Sequence, residues 1–233
     1  MWVYIWTEEQ EWQPWENTLL YLPLESDVVD KSWRTWRTFT TSWITYTTVG
    51  GVPSMHNWTS WGIRLTAPYP LQPTVTNPLT LSVLVYITSW QISSRRDVVD
   101  FAATWWKNRL FLVFMENSTN LKFSNEDLSI NATFTSYINN RMNIVVTGSV
   151  WNPFKMYINW ELVVTWDTNV VRPRWNWTQT WTDIVQAIWC RRTNAEYKEG
   201  INWNMRELIM EEAEWTADDV SKYYQRIKSK LWI

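Results

Sequence analysis

Short apolar runs alternate along the chain with polar, turn-forming stretches, and little of it repeats at helical spacing. A first run, TLLYLPL at 18–24, precedes a long turn-rich segment that extends to about residue 61. GIRLTA at 62–67 leads into a bend with Pro68, Pro70, Pro73 and Pro78, and then into the strongest run, LTLSVLVYI at 79–87. The same pattern predicts strands at 97–103, 110–115, 121–124, 130–136, 142–148, 183–190 and 204–210, with a hairpin over 154–164. Many short β-branched runs separated by turn signals point to a sandwich or barrel rather than to βαβ units.

One helix is signalled, over 216–231. Thr216 is placed to cap it, with Asp219 three residues on as the acidic partner of a capping box. Val220, Tyr223 or Tyr224, Ile227 and Leu231 fall on one face, a stripe suited to packing on a sheet. Residues 1–16 read as an acidic arm, with Glu8, Glu9, Glu11 and Glu16 around Pro14. Residues 17–233 then read as one β-sandwich domain, without an internal repeat or a linker.

The hairpin over 154–164 raises a steric difficulty. Its turn is Asn159-Trp160, and the second residue of such a turn normally needs φ > 0, where a Cβ clashes with the backbone. The same oddity pervades the composition: 22 tryptophans against 5 glycines, where ordinary usage gives a chain of this length roughly 16 glycines. Tryptophan also follows asparagine at Trp58, Trp177 and Trp203, and follows serine at Trp33, Trp43, Trp61 and Trp90, places where glycine marks loops. Read literally, these indoles would be exposed stacking surfaces for sugars or bases. A gene in which UGA encodes glycine, decoded as if UGA meant tryptophan, explains the shortage and the excess together, and we adopt that reading. Its setting would be bacterial or a phage.

Charge and cysteine content narrow the function classes. A net charge of −2 supplies no basic field for nucleic acid. Cys190 is the single cysteine, so an internal disulfide is excluded. No apolar run approaches the ~18 residues that span a bilayer, so membrane insertion is not expected. The first residues have neither a basic region nor a sustained apolar core, and no signal peptide is expected. No HExxH, CxxC, P-loop or dinucleotide fingerprint occurs.

Three stretches together resemble the concanavalin A-like, laminin G-like jelly rolls. LLYLPLESDVVDKSW is similar to their opening strand and acidic turn, with Trp33 in a glycine's place. VVTGSVWNPFKMYINWELV is similar to their paired strands ending in a Tyr-Ile-Asn-Gly hairpin, with Trp160 in the glycine's place. GINWNMRELIMEEAEWTADDVSKYYQRI is similar to their closing strand and short helix. The resemblance implies an all-β sandwich of two antiparallel sheets with a short C-terminal helix. It also implies a range of functions: glycan binding, adhesion, glycan hydrolysis, and roles in phage tails or virions.

The expected binding residues are Asp27, Asp30, His56 and Asn57, in turn regions on the rim. The resemblance makes calcium a candidate cofactor, with Asp27 and Asp30 as hard oxygen ligands; the competing reading is two turn-forming aspartates. Hydrolysis would need two carboxyl groups across the scissile bond. Glu207 and Glu211 are same-face positions on a strand, but Ile209 lies between them, and a solvated strand end is the reading preferred. His56 and Cys190 show no spacing that pairs them as a dyad. The expectation is therefore a non-enzymatic module of a bacterial surface or phage structural protein, extracellular or on a virion. Its partner would be a cell-surface glycan or a structural protein, with oligomerisation left open. A purely structural interaction domain is the alternative, and a glycan hydrolase comes third.

Overall fold

The protein is described by a computed structural model that covers residues 17–32, 38–41, 44–49, 52–57, 63–67, 78–87, 96–102, 109–115, 120–124, 129–149, 152–165, 185–188, 191–193, 196–198 and 204–231. In chain order the strands begin β1 (Thr18–Leu22), β2 (Thr38–Thr41), β3 (Ile44–Val49), β4 (Val52–Asn57), β5 (Ile63–Ala67) and β6 (Leu79–Tyr86). They continue β7 (Arg96–Ala102), β8 (Arg109–Met115), β9 (Asn120–Ser124), β10 (Ser129–Thr133), β11 (Arg141–Gly148) and β12 (Lys155–Ile158). β13 (Glu161–Thr165), β14 (Val185–Ile188), β15 (Arg191–Thr193), β16 (Glu196–Lys198) and β17 (Asn204–Glu211) precede one helix, α1 (Ala217–Leu231). The arm expected at 1–16 lies outside the described residues.

Two large antiparallel sheets carry the fold. The first runs β13-β12-β11-β6-β17-β4-β3, with β1 also paired to β17, and the second runs β10-β9-β8-β7-β14-β5-β2. Between them lies a core built from alternating positions: Leu81, Val83 and Val85 of β6, Met142, Ile144 and Val146 of β11, and Leu208 and Met210 of β17. The second sheet contributes Val98, Val99, Leu121 and Phe123. Each such side chain contributes ~1.5–3 kcal/mol on burial, so this apolar interleaf is the main stabilising term. Among the described residues no helix is long and apolar enough to cross a membrane.

A patch of the other face of the first sheet is covered by α1. Leu84, Val145, Tyr157 and Ile209 on the sheet meet Trp215, Val220, Tyr223, Tyr224 and Ile227. This explains why β6 reads as a near-continuous apolar run: it is covered on both faces. The helix starts at a reciprocal cap in which the Asp219 N–H donates to Thr216 Oγ1 (3.2 Å) and the Thr216 N–H donates to Asp219 Oδ2 (2.9 Å), as the sequence predicts. The corner before it is fixed by the Trp215 N–H, which donates to both Thr80 Oγ1 (3.1 Å) and Thr147 Oγ1 (2.8 Å).

Expected and observed elements differ in four places, one of them the two-stranded β15–β16 sheet, where no strand was expected. The segment to about residue 61, expected as turns, contains β2, β3 and β4. Its threonine-rich strands suit a pleated backbone, but β3 forms the sheet edge, and Thr45, Tyr46, Thr47 and Thr48 are all exposed, so no apolar alternation marks it. His56, expected in a turn, therefore lies inside β4. The strand expected to reach 136 stops at Thr133, because Phe134 turns inward to full burial and the chain enters a 3-10 turn at Thr135–Tyr137.

The hairpin between β12 and β13 forms as expected, with φ of 53° at Asn159 and 73° at Trp160. Asn159 Oδ1 accepts from the Asn143 N–H (2.9 Å), and the Asn159 N–H donates to the Asn143 carbonyl (2.8 Å), so the turn is pinned to β11. Trp160 is 49% exposed, on a backbone where its Cβ crowds the following carbonyl. Leu24, with φ of 45°, differs in being fully buried. Where a glycine is written at a tight approach, it is needed: a Cβ on Gly148 would lie 2.7 Å from Phe154 Cα. Trp160→Gly is expected to raise the urea midpoint, by about 1 kcal/mol of stability from relief of the left-handed strain. Trp215→Ala is expected to cost ~3 kcal/mol or more; a Trp160→Gly variant no more stable than the parent would contradict the steric argument.

Candidate functional site

Glu207 and Glu211 do share one face of β17, but that face is closed. Glu207 is 9% exposed and Glu211 only 1%, which corrects the expectation of a solvated strand end: α1 and β1 cover them. Glu207 accepts hydrogen bonds from the Tyr223 hydroxyl through Oε1 and from the Tyr21 hydroxyl through Oε2 (3.3 Å). Glu211 accepts from Thr18 Oγ1 (3.2 Å) and from the Trp215 indole N–H (2.5 Å). The Arg226 guanidinium lies over the Tyr223 ring, 4.8 Å from its centroid, and the charges of Glu207 and Glu211 act on it. Burial, and then the Glu207 charge, push both tyrosine hydroxyls upward, so they stay protonated donors. These carboxylates are hydrogen-bonded into the fold.

Asp27 and Asp30 lie in the loop after β1. The Asp30 carboxylate is buried, and its Oδ1 accepts from the backbone N–H groups of Tyr21 (3.1 Å) and Ser32 (2.9 Å). Those are the contacts of a turn-forming aspartate. Asp27 faces Lys31 at 4.0 Å, with both side chains about half exposed. Among the described residues no group of three or more His, Cys, Asp or Glu side chains converges. One carboxylate committed to two N–H groups and another beside an ammonium do not fit the six to eight oxygens that calcium takes.

His56 belongs to a different arrangement. Register across the first sheet sets Thr45 opposite His56, His56 opposite Asn204, Asn204 opposite Tyr86, and Tyr86 opposite Arg141. Strand alternation from the inward-facing Met55, Val85, Met142 and Met205 puts all five on the outer face. They stand at one end of β3, β4, β17, β6 and β11, next to the patch that α1 covers. Thr45 is exposed and the other four are half-buried. Burial lowers the His56 pKa, and the Asn204 side chain, near enough to act on the imidazole but not in hydrogen-bond geometry with it, opposes that shift. Asn204 Oδ1 is buried without a hydrogen-bond partner. The Arg141 guanidinium donates to the Val49 carbonyl, tying this rim to the β3–β4 hairpin. Asn57 ends β4 opposite Ile44, one residue beyond the row. Asp27 is not part of the row: its charge acts on Tyr46, which pairs with the inward-facing Met55.

The row is possible because β4 pairs with β17 only at His56 and Met55, after which β4 departs and β1 takes over the same edge from Leu208. Pro53 sits beyond that departure, where β17 asks no N–H of β4. Arg206 fills the gap, donating to the Pro23 carbonyl (2.8 Å) and pairing with Glu25. Sequence reading picked out His56 but not Arg141, Tyr86 or Asn204, whose neighbourhood exists only through register.

No protein-family model matches the chain, and no curated protein matches it in sequence. In structure it is similar to the binding domain of botulinum neurotoxin DC in complex with rat synaptotagmin II, with a TM-score of 0.66 at 13% identity over 90% of this chain and 51% of that one. It is also similar to the serotype G binding domain (0.65, 15%, 91% and 51%) and to the serotype D ligand-binding domain in complex with N-acetylneuraminic acid (0.62, 13%, 90% and 50%). The chain spans about half the length of these structures. At such identity the likeness establishes the fold: a β-sandwich of antiparallel sheets with a C-terminal helix.

Glu211 yields a pH signature. Burial holds its carboxyl above the ordinary range despite the Trp215 and Thr18 hydrogen bonds. The folded state therefore binds that proton more tightly than the unfolded chain, so this contribution is full below the ordinary carboxylate pKa and declines as pH rises through the raised value. Urea denaturation between pH 4 and 7 should show wild type losing stability relative to Glu211→Gln as pH rises. Parallel profiles would mean that the carboxyl is not perturbed.

Proposed function

We propose that the chain is a non-enzymatic recognition domain, of the concanavalin A-like or laminin G-like kind, that binds a cell-surface glycan or a protein partner. The observation that carries this is the fate of Glu207 and Glu211. The one same-face carboxylate pair that the sequence offered for hydrolysis lies beneath a helix, bound to Tyr21, Tyr223, Thr18 and Trp215. A general acid and its partner must flank a glycosidic bond, and this pair flanks an indole and two phenols.

The similar structures support binding over chemistry. They are binding domains, and their names state complexes with synaptotagmin II and with N-acetylneuraminic acid. Those ligands belong to those proteins, half of whose length has no counterpart in this chain. An extracellular setting, on a bacterial surface or a phage particle, suits such a domain. Calcium has no part in this proposal, given how Asp27 and Asp30 are engaged.

A glycan array probed with and without chelator is the test. Binding to a subset of sugars, unchanged by chelator, with no reducing ends released, is expected. Release of reducing ends would reinstate hydrolysis, and silence on every sugar would leave a protein partner as the remaining ligand class.

A further inference from the structure

We propose that the outer-face row Thr45, His56, Asn204, Tyr86 and Arg141 is the ligand site, and that its ligand is a short glycan bearing a carboxylate. This rests on the recognition reading above. Five paired strands at ~4.8 Å spacing place these residues along a line of about 19 Å, long enough for a few sugar rings laid across the strands. The line presents a hydroxyl, an imidazole, an amide, a phenol and a guanidinium, all able to donate to or accept from ring hydroxyls. Asn204 Oδ1, buried beside the His56 imidazole without a well-formed hydrogen bond, sits at its centre and is suited to a hydroxyl donor. Arg141 gives the row its one permanent cation, and a guanidinium can grip a carboxylate through paired N–H groups. Its contact with the Val49 carbonyl occupies part of that donor set and fixes the side chain's orientation.

Sialyllactose and lactose serve as acidic and neutral probes in calorimetric titrations of the wild-type chain, Arg141→Met and Tyr86→Phe. Wild type is expected to bind sialyllactose at least about tenfold more tightly than lactose, the size of one charge-assisted hydrogen bond. Both variants should weaken sialyllactose binding while keeping the parent's melting temperature. Tyr86→Phe loses only a hydroxyl, so it reports on the row even if Arg141→Met fails to fold. Wild-type binding that both variants retain would overturn the site while leaving the recognition reading intact. Tighter binding of lactose would overturn the ligand class. Loss of all sugar binding by wild type would remove the glycan reading and this site with it.

A separate observation carries a second inference: residue 160 is glycine in the protein as its source makes it, and residue 215 is tryptophan. The two described tryptophans are opposites. Trp160 is half exposed at φ 73° in a turn held by Asn143. Trp215 is 7% exposed, donates its indole N–H to Glu211, and packs 5.0 Å from the Tyr223 ring centroid. The exposed hairpin then carries no indole for stacking, and recognition falls to polar side chains. The gene should read UGA at codon 160 and UGG at codon 215, and a peptide spanning 156–172 from the native source should carry glycine at 160. UGG at codon 160, or tryptophan in that peptide, would overturn the assignment; UGA at 215 would overturn its counterpart.

Discussion

Two carboxylates enclosed between a sheet and a helix are costly, because burying a charge without partners is strongly unfavourable. Here β17 presents Glu207 and Glu211 outward, and the elements that cover them bring the donors: Thr18 and Tyr21 from β1, Trp215 from the corner, and Tyr223 from α1. Remove any of these and a buried carboxylate loses a hydrogen-bond donor. The same strand sends Leu208 and Met210 into the interleaf core and hydrogen-bonds to β6, β4 and β1. Position of the helix, register of the sheet and departure of β4 are thus tied to one strand. That departure in turn leaves the rim row standing on the outer face.

Much of the architecture was legible because burial on one or both faces imprints a pattern. The runs at 79–87 and 142–148 are buried almost throughout and mostly apolar, since core and helix cover both faces of β6 and much of β11. The helix was legible from its capping residues and its stripe, and Tyr223 and Tyr224 indeed face inward. Edge strands left no such imprint: β3 buries almost nothing. The rim row was illegible for a different reason. Its members lie at 45, 56, 86, 141 and 204, and only the pairing of five strands brings them together. Burial of Glu207 and Glu211 carried one readable hint, the buried tyrosine stripe, whose hydroxyls need acceptors.

The hairpin at 159–160 was the clearest case of local sterics foretelling structure. A two-residue turn between right-twisted strands demands φ > 0 at both central positions, and both take it. Asparagine tolerates that region; an indole there is at odds with it. The contrast with Trp215 shows that tryptophan belongs in this fold where it fills space and finds an acceptor. On the proposed function, a recognition surface without turn indoles would depend on polar side chains set by sheet register, such as those of the rim row.

The account depends on α1 sealing the Glu207–Glu211 face as a permanent part of the fold. Native-state hydrogen exchange followed by mass spectrometry tests this directly, comparing peptides from 204–211 with peptides from 217–228. The two should be protected to the same degree and lose protection together as urea approaches the global transition. A helix that exchanges freely while β17 stays protected would show a face that opens in the native state, and would contradict the reading of these carboxylates as structural.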